Sequence, residues 1–330
     1  MRIAIVKLSS LGDIIHAMIV LQFIKNFNQE ISIDWVIEES YKDLLKAHPE
    51  ISKVHSINIK KAKKKKSLVV LIRELKKVRR LSSYDLVIDM QGLIKSAIIS
   101  RIIPSKVTLG FDKNSSRESL SSFFYNKTFK YDYDKNIIER NLAIIKFALG
   151  ISNTDIIENK LPFLYSSQES TNINLSSAKK NIILVPGASY KSKCYPIKNF
   201  AELTKLFDAN YIVIWGDYKE KKMAEELKFL SPAINICEKL SIDSLILLIS
   251  KVDLLIGPDT GPTHMAWALN IPSITIFGPT PGLRNTFETK INRIIQSDSI
   301  VDSKKINKSD DSIKDIKVKD IFAIASSLLQ

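Results

Sequence analysis

The sequence predicts an α/β protein made of two consecutive halves, each a parallel sheet covered by helices on both faces. Three observations predict it. Short apolar runs alternate with helix-length segments from residue 2 to residue 111. The alternation breaks at 112–134, which is polar and aromatic without a period, and again at 151–180, which is rich in Ser and Asn. It restarts at 181 with the same logic, and 330 residues suffice for two domains of ordinary size.

In the first half, "RIAIVK" (2–7) reads as a strand, and "DIIHAMIVLQFIKNF" (13–27) has the length and apolar spacing of a helix. "ISIDWVI" (31–37) is a strand, "YKDLLKAH" (41–48) a helix, "VHSINI" (54–59) a strand and 67–81 a basic helix. "DLVIDM" (85–90), a helix at 93–102 and "KVTLGF" (106–111) follow. A helix over 136–149 should end at Gly150, since glycine adopts the left-handed cap at no steric cost. The linker belongs in 151–180, which divides the chain into domains 1–165 and 166–330. In the second half, strands "NIILVPG", "YIVIWG", "AINIC", "DLLIG" and "SITIFG" alternate with helices at 198–208, 218–230, 241–250 and 261–270. The stretch 297–316 reads as a surface loop. A last amphipathic helix covers about 317–329 and is expected to pack back on the N-terminal domain.

Hydrophobic residues make up 45% of the chain and mean hydropathy is near zero, which fits a soluble globular protein and not a disordered one. "IIHAMIVLQFI" is short, is interrupted by His16 and lacks a cleavage pattern, so it reads as a buried helix and not a signal peptide. No run reaches the roughly 18 apolar residues of a membrane span. Cys194 and Cys237 cannot build a disulfide framework and lack metal-site spacing. Net charge is +14, and the window Lys60–Arg80 holds eleven basic residues against Glu74 alone. An anionic partner follows from such a window, as does a merely solvated basic helix face.

The densest chemistry lies in Gly257-Pro258-Asp259-Thr260-Gly261-Pro262-Thr263-His264, between a strand and a helix. Helix starts offer backbone N–H groups and a positive dipole end to an anion. Gly261 permits close approach, Pro262 suits the first helical turn, and Thr260 and Thr263 add hydroxyls. The junction suits a phosphate or pyrophosphate, while Asp259 suits sugar hydroxyls. An ordinary capped helix after a Gly-Pro turn reads the same residues without a ligand. No G-x-G-x-x-G fingerprint occurs, which disfavours a dehydrogenase. The expected binding place is the cleft between the halves, at the carboxyl ends of the strands.

The segment "GPDTGPTHMAWALNIPSITIFGPT" resembles the D-T/S-G-x-x-H segment of the ADP-heptose:lipopolysaccharide heptosyltransferases, glycosyltransferase family 9. "MRIAIVKLSSLGDIIHAMIVL", with its S-S-L-G-D element, is similar to that family's opening, and "DLVIDMQGLIKSAIIS" and "LGFDKNSSRE" are similar to further family segments. The resemblance runs over most of the chain, and four elements in order make it specific. It is nearest to the members that add the first heptose to the Kdo of the inner core. It implies a GT-B fold, two Rossmann-like domains with parallel sheets facing a central cleft, the donor on the C-terminal domain and the acceptor on the N-terminal one. It implies an inverting, metal-independent enzyme without cofactor, soluble in the cytoplasm and peripheral on the inner membrane's cytoplasmic face. Its partners would be ADP-heptose, a Kdo-lipid A acceptor and the anionic membrane surface, not nucleic acid.

The resemblance also assigns residues. Asp13 would be the general base and Lys193 the phosphate-binding lysine, with Lys191 a competitor. Asp13 reads equally as a helix cap, and His16, one turn on, as a core histidine without chemistry. Ser189 stands where the family often has threonine, and Ala188 replaces a second hydroxyl, a departure that weakens this part of the transfer. Thr260, Gly261, Thr263 and His264 would complete the pyrophosphate site, and Asp259 would take the sugar. Glu220 would take the ribose hydroxyls, with Asp217 its rival. Ser10, Gly12, Lys60, Lys61, Lys63, Lys64, Gln91 and Arg117 would hold the acceptor, Arg117 by a carboxylate fork that a lysine cannot make. Competing readings are a heptosyltransferase that acts on a later acceptor, another GT-B transferase or epimerase, and a basic nucleic-acid-binding protein. The last needs aromatic residues among the lysines, and the Lys-rich window has none.

Overall fold

A computed structural model describes the chain except residues 152–156, 158–159, 169–172 and 304. Part of the stretch assigned to the linker therefore lies outside the described residues. The chain divides into two compact units, Met1–Phe163 and Leu164–Gln330.

In the first unit the elements run β1 (Arg2–Val6), α1 (Leu11–Phe27), β2 (Ser32–Glu38), β3 (Lys53–Ile57), α2 (Ile59–Lys65), α3 (Leu68–Arg79), β4 (Tyr84–Asp89), α4 (Ile94–Ile102), β5 (Ser105–Phe111), β6 (Lys127–Phe129) and α5 (Ile137–Leu149). The sheet order is β3-β2-β1-β4-β5-β6, and every pairing is parallel. Both faces of β1 are buried, as a parallel sheet requires. Ala4 and Val6 pack with Val78 of α3 and Ile99 of α4. Ile3 and Ile5 alternate with them and are equally buried, on the face left to α1 and α5, which pack on each other. Helix α1 is buried at every position from Ile14 to Leu21, and each such aliphatic side chain contributes about 1.5–3 kcal/mol by leaving water. Gly150 ends α5 with φ +69° and donates its N–H to the Lys146 carbonyl, as its residue type predicts.

The second unit runs β7 (Asn181–Leu184), α6 (Ile197–Leu203), β8 (Asn210–Val213), α7 (Tyr218–Leu230), β9 (Asn235–Ile236), α8 (Ile242–Ile249), β10 (Leu254–Pro258), α9 (Gly261–Ala268), β11 (Ser273–Phe277), α10 (Gly282–Asn285), β12 (Asn292–Gln296) and α11 (Val318–Leu328). Its sheet, β12-β11-β10-β7-β8-β9, is again parallel throughout. Ile182, Leu184, Val213, Leu254 and Ile256 pack against Phe200 of α6, Leu227 of α7 and Ile321 and Ala325 of α11. The last helix therefore contributes Ile321 and Ala325 to its own unit's core.

Local differences have physical reasons. The helix expected at 41–48 is a 3-10 turn, Glu39–Leu44, and Pro49 disfavours helical geometry at His48, the last residue of the expected span. Helix α2 lacks an apolar period. Its start is fixed instead by Asn58, whose side chain accepts from the Lys61 N–H at 3.0 Å. The stretch 297–316 is not all surface, since Ile313 in the 3-10 turn Ser312–Asp315 lies in the second core.

Candidate functional site

In each sheet the strand order reverses at one place, and there the loops that leave the carboxyl ends of two neighbouring strands must diverge. In the first unit this place lies between β1 and β4. The loop after β1 carries Ser9 and Ser10 and leads into Leu11-Gly12-Asp13 at the start of α1, and Gln91 follows β4. Gln91 Oε1 accepts from the N–H groups of Leu8 (2.7 Å) and Ser9 (3.2 Å), and its Nε2 donates to the Ser9 carbonyl. The glutamine thus stands in for a missing backbone partner and fixes the loop that opens α1. Asp13, in the first turn of α1, accepts at Oδ2 from the Ser10 N–H (2.9 Å) and the Ser10 hydroxyl (2.7 Å). One oxygen caps the helix, and among the described residues Oδ1 has no hydrogen bond. Gly12 is half-buried beside it, and His16 is buried within α1.

Around this loop the structure places further groups. Lys95, at the start of α4, donates to Ser9 Oγ at 3.3 Å. Glu38, at the end of β2, is buried, and burial raises its carboxyl above the ordinary range while the Lys60 N–H partly offsets the rise. The Lys60 ammonium turns to Ser40 Oγ (3.2 Å) and the Tyr41 hydroxyl (3.1 Å). Lys61 instead lines a cavity of about 380 Å³ with Lys65, Arg73 and Lys77, opposed by Glu39 and Glu74. Lys63 and Lys64 are exposed on α2, and Arg117 is exposed in the loop after β5.

In the second unit the reversal lies between β7 and β10. The loop after β7 delivers Lys193, and the loop after β10 delivers Asp259. Lys193 Nζ meets Asp259 Oδ2 at 2.8 Å, and both side chains are nearly buried. His264 Nε2 lies 2.9 Å from Asp259 Oδ1, and Thr280 donates to Oδ2 at 2.9 Å. Burial alone would raise the Asp259 carboxyl. The Lys193 ammonium and His264 overcome it and hold the group far below the usual carboxylate range. Both oxygens of Asp259 are thus engaged by protein, Oδ2 by Lys193 and Thr280 and Oδ1 by His264. Lys191 is exposed in the same loop, with Ser189 exposed before it.

At the start of α9 the Thr263 hydroxyl turns inward, donating to the carbonyls of Pro258 (3.0 Å) and Thr260 (2.7 Å). The N–H groups of Gly261 and Thr263 belong to the first turn of α9, where a helix supplies no acceptor of its own, and Thr260 and Thr263 form a capping box there. Asp217 is the N-cap of α7, accepting from Lys219 N–H (2.8 Å) and Glu220 N–H (3.0 Å). Both bonds fall on Asp217 Oδ1, so each of the two carboxylates keeps one oxygen without a hydrogen bond among the described residues. Glu220 Oε2 accepts from the Gly216 N–H at 2.6 Å, which leaves Oε1 open. Its side chain lies against Gly187, where a Cβ would meet the Glu220 Cγ at 2.3 Å, so only glycine lets it reach the β7 loop.

Sequence reasoning passed over Thr280 and Asp89. Thr280 ends the quoted "FGPT", and nothing in its spacing points to Asp259. Asp89 is fully buried at the end of β4, and burial raises its carboxyl. It accepts from Gln91 N–H (2.8 Å) and the Tyr125 hydroxyl (2.8 Å), and so fixes the turn that carries Gln91. An acidic residue ending an apolar strand was the available signal, because such a group must find donors.

Residues 71–313 match the family described as glycosyltransferase family 9 (heptosyltransferase). The lipopolysaccharide heptosyltransferase 1 of Campylobacter coli is 40% identical over 348 residues, 99% of this chain and 99% of that protein. The lipopolysaccharide heptosyltransferase 1 of Escherichia coli (strain K12) is 28% identical over 290 residues, 86% of this chain and 90% of that protein. Among solved structures, an E. coli heptosyltransferase with ADP superimposes with a TM-score of 0.82 at 24% identity, covering 99% of this chain and 100% of that one. A family 9 glycosyl transferase from Veillonella parvula DSM 2008 also reaches 0.82, at 17% identity, over 99% of this chain and 97% of that one. The fold expected from the sequence, α/β of GT-B type, is the one they share.

Proposed function

The chain belongs to glycosyltransferase family 9, the heptosyltransferases, and from that membership we propose that it moves a heptose from ADP-heptose to the Kdo of the lipopolysaccharide or lipooligosaccharide inner core, as a heptosyltransferase 1. The observation that carries the reading is that the named residues gather where each sheet reverses its strand order, Asp13 and Gln91 in one unit and Lys193 and Asp259 in the other. The end-to-end similarity to the C. coli enzyme supports the choice of substrates.

In this reading the second unit holds the donor. The diphosphate lies at the start of α9, on the N–H groups of Gly261 and Thr263, with Ser189 and Thr260 as hydroxyl donors. Lys193 shares its ammonium between Asp259 and the phosphates, and its charge stabilises the departing ADP. Glu220 takes the ribose hydroxyls through its open oxygen. His264 orients Asp259 and does not touch phosphate. The first unit holds the acceptor through Ser10, Gly12, Gln91, Arg117 and the α2 lysines. Asp13 accepts the acceptor's proton at Oδ1 while Ser10 keeps Oδ2 in place. The oxygen so activated attacks the anomeric carbon from the side opposite the leaving group, and one displacement inverts the configuration. The acceptor is an amphiphile with carboxylates and phosphates, so the enzyme works peripherally at the cytoplasmic face of an anionic inner membrane. No helix among the described residues is long and apolar enough to cross one.

The test is turnover of ADP-heptose with Kdo-lipid A, set against ADP-glucose, UDP-sugars and an acceptor that already carries one heptose. Preference for ADP-heptose and the unsubstituted Kdo acceptor is the expected result. Preference for the heptosylated acceptor would move the enzyme to the next step, and turnover of another nucleotide sugar alone would overturn the reading.

A further inference from the structure

The outward side of α3 is not built for water. The helix turns Glu74 and Val78 into the unit and leaves Leu68 (74% exposed), Val69 (69%) and Ile72 (51%) outside. At about 100° per residue these three fall on one arc of about 100°. Arg73, Lys76 and Arg79, also exposed, lie on or beside that arc toward the C-terminal end. Exposed Lys63, Lys64, Lys65 and Lys66 precede it. Three large apolar side chains thus stand between two basic blocks, at the end of α3 that follows the β3–α2 connection. A helix that meets only water carries charged or polar groups on this arc. A helix that lies in the headgroup region of a membrane carries apolar residues with flanking lysines and arginines.

A second observation lies on the same side of the sheet. The 3-10 turn Ser119–Phe124 exposes Leu120 (58%) and Phe123 (81%), shortly after Arg117. That turn packs on α4, and α4 packs on α3. Leu120 and Phe123 thus stand on a turn that is joined to α3 through α4.

We infer that Leu68, Val69 and Ile72 form an apolar wedge that seats this chain in an anionic lipid leaflet. The lysines and arginines of α2 and α3 meet the headgroup phosphates, and the wedge enters the boundary of the acyl chains. The choice of a leaflet rests on the proposed function, because an amphiphilic acceptor must be met there. Charge complementarity selects a lipid surface over a second copy of this chain, whose corresponding face would be equally basic. The two parts respond differently to salt. Attraction between lysines and headgroups is screened, whereas burial of the wedge is not.

The experiment is co-sedimentation of the full chain with vesicles of phosphatidylethanolamine and phosphatidylglycerol that contain no acceptor, at low and high salt. The variant Leu68→Gln/Val69→Gln/Ile72→Gln should unfold at the wild-type temperature, since all three side chains are exposed. Its vesicle affinity should fall on the order of tenfold or more, and the salt-resistant part should vanish. In a second variant, Leu68→Trp, lipids brominated on the acyl chains should quench the new fluorescence. Wild-type binding by the triple variant, absence of quenching, or a change only in self-association by sedimentation equilibrium would each overturn the inference. Catalysis is read separately, on an O-deacylated, water-soluble acceptor, where the triple variant should match the wild type. Failure of the wild type to use that acceptor while still binding vesicles would sink the catalytic proposal alone.

Discussion

Replacing Lys193 by methionine or Asp259 by asparagine strands the other member of a buried pair. The two groups touch at 2.8 Å, and their side chains are 11% and 8% exposed. Breaking such a pair from one side costs about 3–5 kcal/mol, because the remaining charge stays desolvated. At about 2–4 °C per kcal/mol for a unit of this size, each single variant should melt about 6–20 °C below the wild type. The double variant leaves no charge stranded, and Thr280 and His264 can still hydrogen-bond the amide that replaces Asp259. It should therefore recover about 2–3 kcal/mol relative to the sum of the single losses. Urea unfolding of the four proteins gives the coupling, and thermal melts with and without ADP add the link to function. In Asp259→Asn a diphosphate offers Lys193 a new counter-charge, so ADP should raise the melting temperature at least as much as in the wild type. In Lys193→Met that rise should be lost. Additive losses would refute the argument that the two charges act as one buried pair. An unchanged ADP response in Lys193→Met would remove the lysine from the phosphate site.

Asp13→Asn should lose roughly 100- to 10,000-fold in turnover while donor binding persists. Ser10→Ala removes only the hydroxyl bond to Asp13 and keeps the backbone N–H that holds Oδ2, so it should cost far less turnover; near wild-type turnover in Asp13→Asn would remove Asp13 from the mechanism. Arg117→Lys should raise the acceptor KM even at low salt, because the fork geometry is lost while the charge remains, and steady-state kinetics with unchanged KM would return Arg117 to an ordinary surface role. His48 is buried, and burial pushes its imidazole from 6.5 to about 4. As pH falls below 6.5 the unfolded chain takes up the proton and the folded chain does not, so stability present above 6.5 should decline by about 3 kcal/mol toward pH 4. Urea unfolding at pH 7 and pH 4.5 should show a flatter dependence in His48→Gln, and equal slopes would contradict the assignment.

The alternation of short apolar runs with helix-length segments determined that there would be two parallel α/β units, because strands buried on both faces and helices buried on one leave different periods in the sequence. Caps were legible for the same local reason: Gly150 has the only residue type that takes φ +69° without a Cβ penalty. The motifs named the family and the loops that bear its chemistry. They could not divide the work within those loops. Lys191 and Lys193 are equivalent in composition, and only the packing of the β7 loop against the β10 loop buries one on Asp259 and leaves the other in water. Asp217 and Glu220 are likewise equivalent in the sequence, and only the fold makes the first the cap of α7 and lays the second against Gly187. Thr263 reads as a ligand hydroxyl until the last residue of β10, Pro258, and the N-cap Thr260 supply carbonyls for it. In each case the deciding partner is a backbone group or a residue brought close only by the sheet. Hydrogen bonds are satisfied by whatever lies within about 3 Å in the folded chain, not by sequence neighbours alone.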